Sequence, residues 1–184
     1  MVENESYKST ALSLLTRYLK FQHWTSSVRF HVPNFNFVAP GDEIPKWYNH
    51  QSLGSLITIE LHPGWFTNKW MGFTFCVVFR LLNPLPPLFQ WSIKCSLKSN
   101  GKVYGRCGTS FGRQWGQPVL DHIWFFCGHR DYFIHRLEWQ DIYQHLEFSF
   151  KFNPGECQQV KKCGVRMIYE EDVEELWHVE GKST

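Results

Sequence analysis

The sequence predicts an all-β protein: an antiparallel β-sandwich preceded by one amphipathic helix. After Asn34, apolar and polar residues alternate in several segments of strand length, which is the period of a half-buried strand. Turn signals separate these segments, among them Pro40-Gly41, Asn100-Gly101 and Asn153-Pro154-Gly155. About eight short strands divided by such turns are typical of a sandwich of two sheets.

Composition narrows the class of protein further. The chain has 184 residues, including nine Trp and sixteen Phe, and only 20% of its residues are charged, which suits one packed domain. Its formal net charge of +2 gives no electrostatic reason to expect nucleic acid as a ligand. We find no basic leader before an apolar run and no apolar run of membrane-spanning length. We therefore expect an intracellular protein whose six cysteines are thiols.

The first part of the chain has a different period. Within residues 3–21, apolar residues recur at steps of three and four, which predicts an amphipathic helix that must pack on another surface. The residues of this apolar face are Tyr7, Ala11, Leu14, Leu15 and Tyr18. We accordingly divide the chain into a helix and linker (1–33), a β-sandwich (34–173) and a tail (174–184).

The strand predictions follow the alternation of apolar residues. In chain order they are a short strand opening at Phe35 and Phe37, then 57–61, 71–79, 91–98, its hairpin partner after Gly101, 120–127, 146–152 and 163–169. The segment 71–79 has almost no polar side, so we expect it at the centre of a sheet. Residues 128–143 are predicted to be irregular, with a short helical turn near their end. The acidic residues after Glu170 are predicted to be exposed and frayed.

The hairpin at Asn100-Gly101 allows a prediction of register. Both central positions of a type I′ turn need positive φ, and Asn-Gly supplies it. In that register Leu97 lies opposite Tyr104 and Cys95 lies opposite Arg106. Cys95 and Cys107 would then lie on opposite faces of the hairpin, and only a slip of one residue would bring them together.

The stretch from Pro40 to Leu61 organises the domain. Pro40-Gly41 predicts a turn, and Ile44 is held extended by Pro45, which follows it. A large aromatic pair, Trp47 and Tyr48, comes directly afterwards. We predict that this segment forms an aromatic lid, with Trp47 buried against the strand 57–61.

Three sequence blocks carry a resemblance to a known family. The stretch PGDEIPKWYNHQSLGSLITIEL, together with 71–79 and 160–172, resembles the C-terminal jelly-roll or immunoglobulin-like domain of plant intracellular immune receptors. In those receptors a TIR domain, a nucleotide-binding domain and leucine-rich repeats precede this domain. His62 departs from the family pattern, in which proline is expected more often. The matching motif positions, interpreted as scaffold, are Pro40, Gly41, Glu43, Ile44, Pro45, Trp47, Gln51, Ser52 and Gly54.

The resemblance implies a binding module without catalytic activity or cofactor. NAD cleavage would belong to the TIR domain and nucleotide switching to the central domain of the receptor. The implied partners are a pathogen effector protein and the adjacent leucine-rich repeats, and oligomers would form only through the full receptor. The implied compartment is the cytoplasm, the nucleus or both. The helix within 3–21 would be a remnant of the junction with the repeats.

Patterns for catalysis and metal binding were also tested against the residues. The pair Cys127 and His129 lacks the compact spacing of a zinc site, so we expect no metal. No Gly-x-Ser-x-Gly elbow exposes a serine, and Cys76 lies in the most apolar strand, where a thiolate is disfavoured. The glycine-rich stretch 105–118 has no lysine after its glycines and no following helix, which excludes a P-loop. We therefore expect no catalytic residue.

The candidate binding residues lie in two predicted loops, 83–89 and 105–118. Arginine and tryptophan anchor many protein interfaces, which makes Arg113 and Trp115 the best candidates. The alternative is that the second loop folds over the sandwich with Trp115 in the core. Segment 128–143 is the next candidate. The proposed effector-binding residues are Phe89, Arg106, Phe111, Arg113, Gln114 and Trp115.

A second hypothesis is a lectin-like jelly roll. Exposed Trp and Tyr side chains can stack on sugars, and such a protein would cluster them on one concave face with Asp, Asn or Arg at the rim. A thermal shift that depends on sugar would separate this hypothesis from protein binding, because a ligand bound only to the native state raises its stability.

Overall fold

The computed structural model contains two antiparallel β-sheets packed face to face, which confirms the predicted sandwich. The structure describes Thr10, Lys20, Glu175 and residues 13–18, 35–67, 69–82, 90–111, 121–134, 144–153 and 158–173. In the described residues one sheet, here called sheet A, has five strands, and the other, sheet B, has four.

Most strand bounds agree closely with the alternation in the sequence. The strands of sheet A, in spatial order, are β1 (Phe35–Pro40), β7 (Asp121–His129), β4 (Trp70–Leu81), β9 (Gln158–Tyr169) and β2 (His50–Leu53). Those of sheet B, in spatial order, are β3 (Leu56–Glu60), β8 (His145–Asn153), β5 (Trp91–Ser99) and β6 (Lys102–Phe111). β2 was missed because the run NHQSLGS has no apolar alternation. Its pairing with β9 makes it a strand.

The main core lies between the two sheets and is rich in aromatic rings. Alternate residues of the central strand β4 point into it, including Phe73 and Phe75. Both rings meet Phe148 from β8, each with centroids 5.3 Å apart, at separations that favour edge-to-face and tilted pairs. The central position predicted for residues 71–79 is confirmed, because β4 pairs with β7 and β9.

The hairpin between β5 and β6 has the predicted turn but not the predicted register. Asn100 and Gly101 have φ of 49° and 78°, as an Asn-Gly turn requires. A register shift after Leu97 then pairs it with Gly105 and places Cys95 directly opposite Cys107. The prediction that these cysteines lie on opposite faces is therefore wrong. The irregularity adds one residue to β6, and this shifts the pairing by the one position that brings the two cysteines opposite each other.

The ends of the domain pack on the outer face of sheet A. Residues 13–18 are helical, as predicted, and Leu15 is buried with Met71, Cys127 and Ile168. Residues 170–173 are also helical, and Val173 is buried in the same cluster. The prediction that the chain frays after Glu170 is therefore wrong for residues 170–173, and Val173 is not exposed, whereas Glu170 and Glu171 are exposed as predicted.

The segment 128–143 also differs from its prediction. Gly128 and His129 complete β7, and a short helix, Arg130–Ile134, follows directly where irregular chain was predicted. The helical turn predicted near the end of the segment falls within residues 135–143. Phe133 is buried in the main core and meets Phe73 with ring centroids 5.3 Å apart. Residues 135–143 lie outside the described part.

Candidate functional site

Sequence reasoning placed the binding loops at 83–89 and 105–118, and the strand ends that bound them lie at one end of the sandwich. β4 finishes at Leu81, and β5 begins at Trp91. β6 finishes at Phe111, opposite Trp91, and β7 begins at Asp121, opposite Arg80. Segment 154–157 joins β8 to β9 at this same end, because Asn153 pairs with Ser92. We call this end of the sandwich the loop-bearing end.

The predicted site residues fall into two groups. Phe89, Arg113, Gln114 and Trp115 lie outside the described residues. Arg106 is exposed on β6, opposite Ser96. Residues 105–111 are strand rather than loop, so that part of the loop prediction is wrong.

Phe111 is buried, with 8% of its surface exposed, and its ring lies 4.3 Å from that of Trp91. It therefore packs in the core instead of presenting its ring to a ligand. Gly105 and Gly108 interrupt the alternation, so the sequence predicted only the beginning of this strand after Gly101 and not its continuation to Phe111.

Three charged side chains tie sheet A together at the loop-bearing end. Arg80 Nε and Lys161 Nζ each donate a hydrogen bond of 2.6 Å to the carboxylate of Asp121. Burial alone would raise the pKa of Asp121, but the two hydrogen bonds outweigh it and the pKa is lowered. The arrangement holds the starts of β7 and β9 against the end of β4. It stabilises the strands from which the loops extend.

The lid segment covers the outer face of sheet A, and Tyr48 is its central side chain. Tyr48 is 1% exposed and packs with Ile44, Cys76 and Phe125. Its hydroxyl lies 3.0 Å from Oγ1 of Thr74, which itself donates to the carbonyl of Phe126. Burial raises the pKa of Tyr48 well above its usual range. This buried hydroxyl is therefore satisfied, which a stable core requires.

Trp47 does not take the predicted position. It is half-buried, and it packs at the margin of the clusters on the outer face of sheet A instead of against the strand 57–61. Ile57 lies in the core on the other side of that sheet. Pro45 to Tyr48 form a turn closed by a hydrogen bond from the N–H of Tyr48 to the carbonyl of Pro45. The two rings lie side by side with centroids 4.1 Å apart, and only that of Tyr48 is buried against the sheet. The packing selects Tyr48.

Gly54, the second glycine of the sequence motif, lies where the chain passes from sheet A to sheet B. Gly54 has φ of 78°, which favours glycine. Its N–H donates to the carbonyl of Lys161 in sheet A, and the carbonyl of Ser55 accepts from Phe150 in sheet B. Gln51 supports the lid because its Nε2 donates to the carbonyl of Tyr48 at 3.0 Å. These contacts agree with a scaffold role.

Arg166 joins the lid to the helical turn at 170–173. Its Nη1 donates to the carbonyl of Trp47 at 2.8 Å, and its guanidinium lies 5.6 Å from the Trp47 ring. It also forms an ion pair with Asp172. Asp172 accepts a hydrogen bond from the N–H of Tyr169 at 2.7 Å, as a residue at the start of a helix often does.

The outer face of sheet B is open and polar in the described part of the chain. It is made by the residues that alternate with the buried ones on β3, β8, β5 and β6. Small side chains occupy the middle of this face. Its members include Leu56, Thr58, Glu60, Ser92, Lys94, Ser96, Lys98, Val103, Arg106, Gly108, Ser110, Glu147, Ser149 and Lys151.

Every Trp and Tyr whose burial is described is buried or half-buried.

The described cysteines are free and buried, namely Cys76, Cys95, Cys107, Cys127 and Cys163. Burial raises the pKa of Cys163 to about 12, which disfavours the reactive thiolate. Among the residues with described positions, no group of three or more His, Cys, Asp or Glu side chains could hold a metal ion. Within the same residues, no helix is long and apolar enough to span a membrane.

Comparison with known proteins identifies relatives for most of the chain. A family model described as the C-JID domain matches residues 39–174. The disease resistance protein RPP2B of Arabidopsis thaliana is 49% identical over 159 residues, covering 72% of this chain and 13% of RPP2B. The disease resistance protein RPS4 of the same plant is 28% identical over 155 residues, covering 75% of this chain and 13% of RPS4.

The disease resistance protein LAZ5, also from Arabidopsis thaliana, is 26% identical over 146 residues, which cover 73% of this chain and 12% of LAZ5. The chain thus spans only 12 to 13% of the length of these three relatives. The matched region runs from the last two residues of β1 past the end of β9, so it contains eight of the nine described strands in full.

Proposed function

The chain belongs to the C-JID domain family, as its three sequence blocks predicted, and from that premise we propose that it is a ligand-recognition domain of a plant immune receptor. In this proposal it follows the leucine-rich repeats and contributes to binding a pathogen effector protein inside the cell, in the cytoplasm or the nucleus. It has no catalytic activity of its own. The names of its relatives, which are disease resistance proteins, support the receptor context.

One observation carries the assignment of the binding surface. The strand ends that bound 83–89, 112–120 and 154–157 converge at the loop-bearing end. The strands beneath it are fixed by the core and by Asp121. Loops on a rigid sandwich can change sequence without disturbing the core. That property suits a receptor domain that must follow a changing ligand.

A double variant of the two proposed anchors tests this function. Arg113→Ala with Trp115→Ala should abolish co-precipitation of the effector by the complete receptor, or weaken binding by more than about 2 kcal/mol. The matched control is Arg17→Ala with Phe66→Ala, since both side chains are exposed and lie outside the loops. The control should bind as the unchanged receptor does.

Thermal melting of the isolated chain distinguishes the outcomes of this experiment. The Arg113/Trp115 variant should melt close to the unchanged chain. A collapse of the melting temperature would place Trp115 in the core, and loss of binding would then say nothing of contact. Unchanged binding together with unchanged melting would contradict the assignment of the loops.

A further inference from the structure

The open face of sheet B carries a group of exposed basic side chains. Lys94 on β5 and Lys151 on β8 are direct partners across the sheet, and both are exposed. The position opposite Lys94 on β6 is Gly108. Arg106 lies exposed on β6, on the same face. We call Lys94, Lys151 and Arg106 the cationic patch.

The pairing of the two lysines is costly for folding. The Cβ atoms of residues directly opposite one another on one face of a sheet lie about 5 Å apart, and like charges at such positions destabilise the pair. Neither lysine forms an ion pair with a described residue. The described neighbours on the face are small and neutral, such as Ser92, Ser96 and Ser149. Glu147, further along β8, is 3.6 Å from Lys98.

Protection of a sheet edge does not explain these lysines. Lysines are common on edge strands, where they prevent pairing with another sheet. In sheet B the edges are β3 and β6, whereas Lys94 and Lys151 lie on the two interior strands. Opposite Lys94 only glycine fits, because a Cβ at position 108 would lie 2.2 Å from the carbonyl oxygen of Ile93. No side chain therefore covers Lys94 from that position, and both lysines are exposed.

We propose that the cationic patch docks an acidic surface of a partner protein, rich in Asp and Glu side chains. Charge complementarity supplies the attraction, and small neighbours allow a flat partner to approach closely. Nucleic acid fits less well, because the described face has no aromatic ring for stacking bases. The inference goes beyond effector binding by the loops and stands whether or not the loops make contact.

A binding assay with a defined probe tests the proposal. A short fluorescent poly-glutamate peptide should bind the chain at low ionic strength and weaken as salt shortens the Debye length. A Gly-Ser peptide of equal length should not bind. Lys94→Ser with Lys151→Ser should weaken poly-glutamate binding about tenfold. The matched control, Lys46→Ser with Lys69→Ser, removes the same charge from other exposed positions and should change binding less than about twofold.

Three results would overturn the proposal. Equal weakening by both variants would mean attraction to net charge alone. Tighter binding of a fluorescent oligothymidine than of poly-glutamate, lost in the same Lys94/Lys151 variant, would assign the patch to nucleic acid. A lower melting temperature for that variant would show that the lysines serve packing, since removal of a repelling pair should leave the melting temperature unchanged or raise it.

Discussion

The two outer faces of the sandwich differ in what covers them. The outer face of sheet A lies beneath the lid, the helix at residues 13–18 and the helical turn at 170–173, with Tyr48 and Leu15 buried against it. The outer face of sheet B has polar side chains toward solvent in the described residues. One sheet is therefore buried on both faces and the other on one. The fold devotes the first sheet to stability and leaves the second available for contact.

The boundary between these roles is sharp along the chain. Gly54 carries the chain from β2, in the covered sheet, to β3, at the edge of the open sheet. Leu53 and Leu56, on either side of this turn, are 82% and 48% exposed. The part of the lid that packs on sheet A, residues 41–49, ends before this turn. Substitutions of residues buried against the covered face should therefore change the free energy of unfolding, which denaturant titration measures, far more than substitutions on the open face.

The largest effect is expected at Tyr48, on the covered face. Tyr48→Ala should lower the free energy of unfolding by about 3–5 kcal/mol, because it removes a fully buried ring. Tyr48→Phe keeps the ring and removes only the hydroxyl that meets Thr74, so it should cost about 1–2 kcal/mol. A loss below about 1 kcal/mol for the alanine variant would mean that the lid does not unfold together with the sheets.

The next effect tests whether the first helix belongs to the folded domain. Leu15 is 1% exposed and packs with Met71, Ile168 and Val173, although the family match begins only at residue 39. Leu15→Ala should cost about 2–4 kcal/mol. Arg17→Ala, on the exposed side of the helix, should cost no more than about 0.5 kcal/mol. Equal effects of the two variants would mean that the helix does not contribute to the stability of the folded domain.

Trp47 should show a smaller effect than its size indicates. It is only half-buried, and part of its contribution comes from the guanidinium of Arg166. Trp47→Ala should cost about 1–2 kcal/mol, combining partial burial with a cation–π contact. A cost equal to that of Tyr48→Ala would restore the central position that the sequence predicted for this ring.

Asp121, at the polar margin of the covered face, should make the free energy of unfolding depend on pH. Its pKa is lowered in the folded protein, so its stabilisation is complete above the unfolded pKa of about 3.9. That stabilisation is lost as the pH falls through the lower, folded value. Asp121→Asn should cost about 1–2 kcal/mol at neutral pH. The difference from the unchanged chain should shrink as the titration is repeated below about pH 4, and a constant difference would contradict the assignment.

The smallest effect is expected on the open face. Thr58 is exposed between two buried isoleucines of β3, and Thr58→Val keeps the branched side chain that strands favour. The free energy of unfolding should change by no more than about 0.5 kcal/mol. A larger change would mean that another part of the molecule covers this face.

For much of the candidate site, the sequence predicted the location of the residues but not their contacts. The two loop segments follow from turn residues, and the described strand ends place both at one end. The proposed anchors Arg113 and Trp115 lie outside the described residues, so their role stays a prediction. The cationic patch was missed because Lys94 and Lys151 are 57 positions apart in the sequence. Only strand pairing makes them neighbours.

For the strands with a clear apolar pattern, the sequence by itself determined how many faces are buried. Residues 71–79 have almost no polar side, and β4 is buried on both faces, whereas 146–152 alternate and β8 buries one. Local composition suffices for this because side chains of a strand alternate between faces regardless of the partner strand.

Tertiary structure alone decided which groups meet across the molecule. It brought Cys95 opposite Cys107 through an irregularity after Leu97, and it turned Tyr48 rather than Trp47 toward the sheet. Each choice depends on residues distant in sequence. In both cases the local sequence pattern is compatible with either arrangement. Packing against those distant residues gives the observed arrangement the lower free energy.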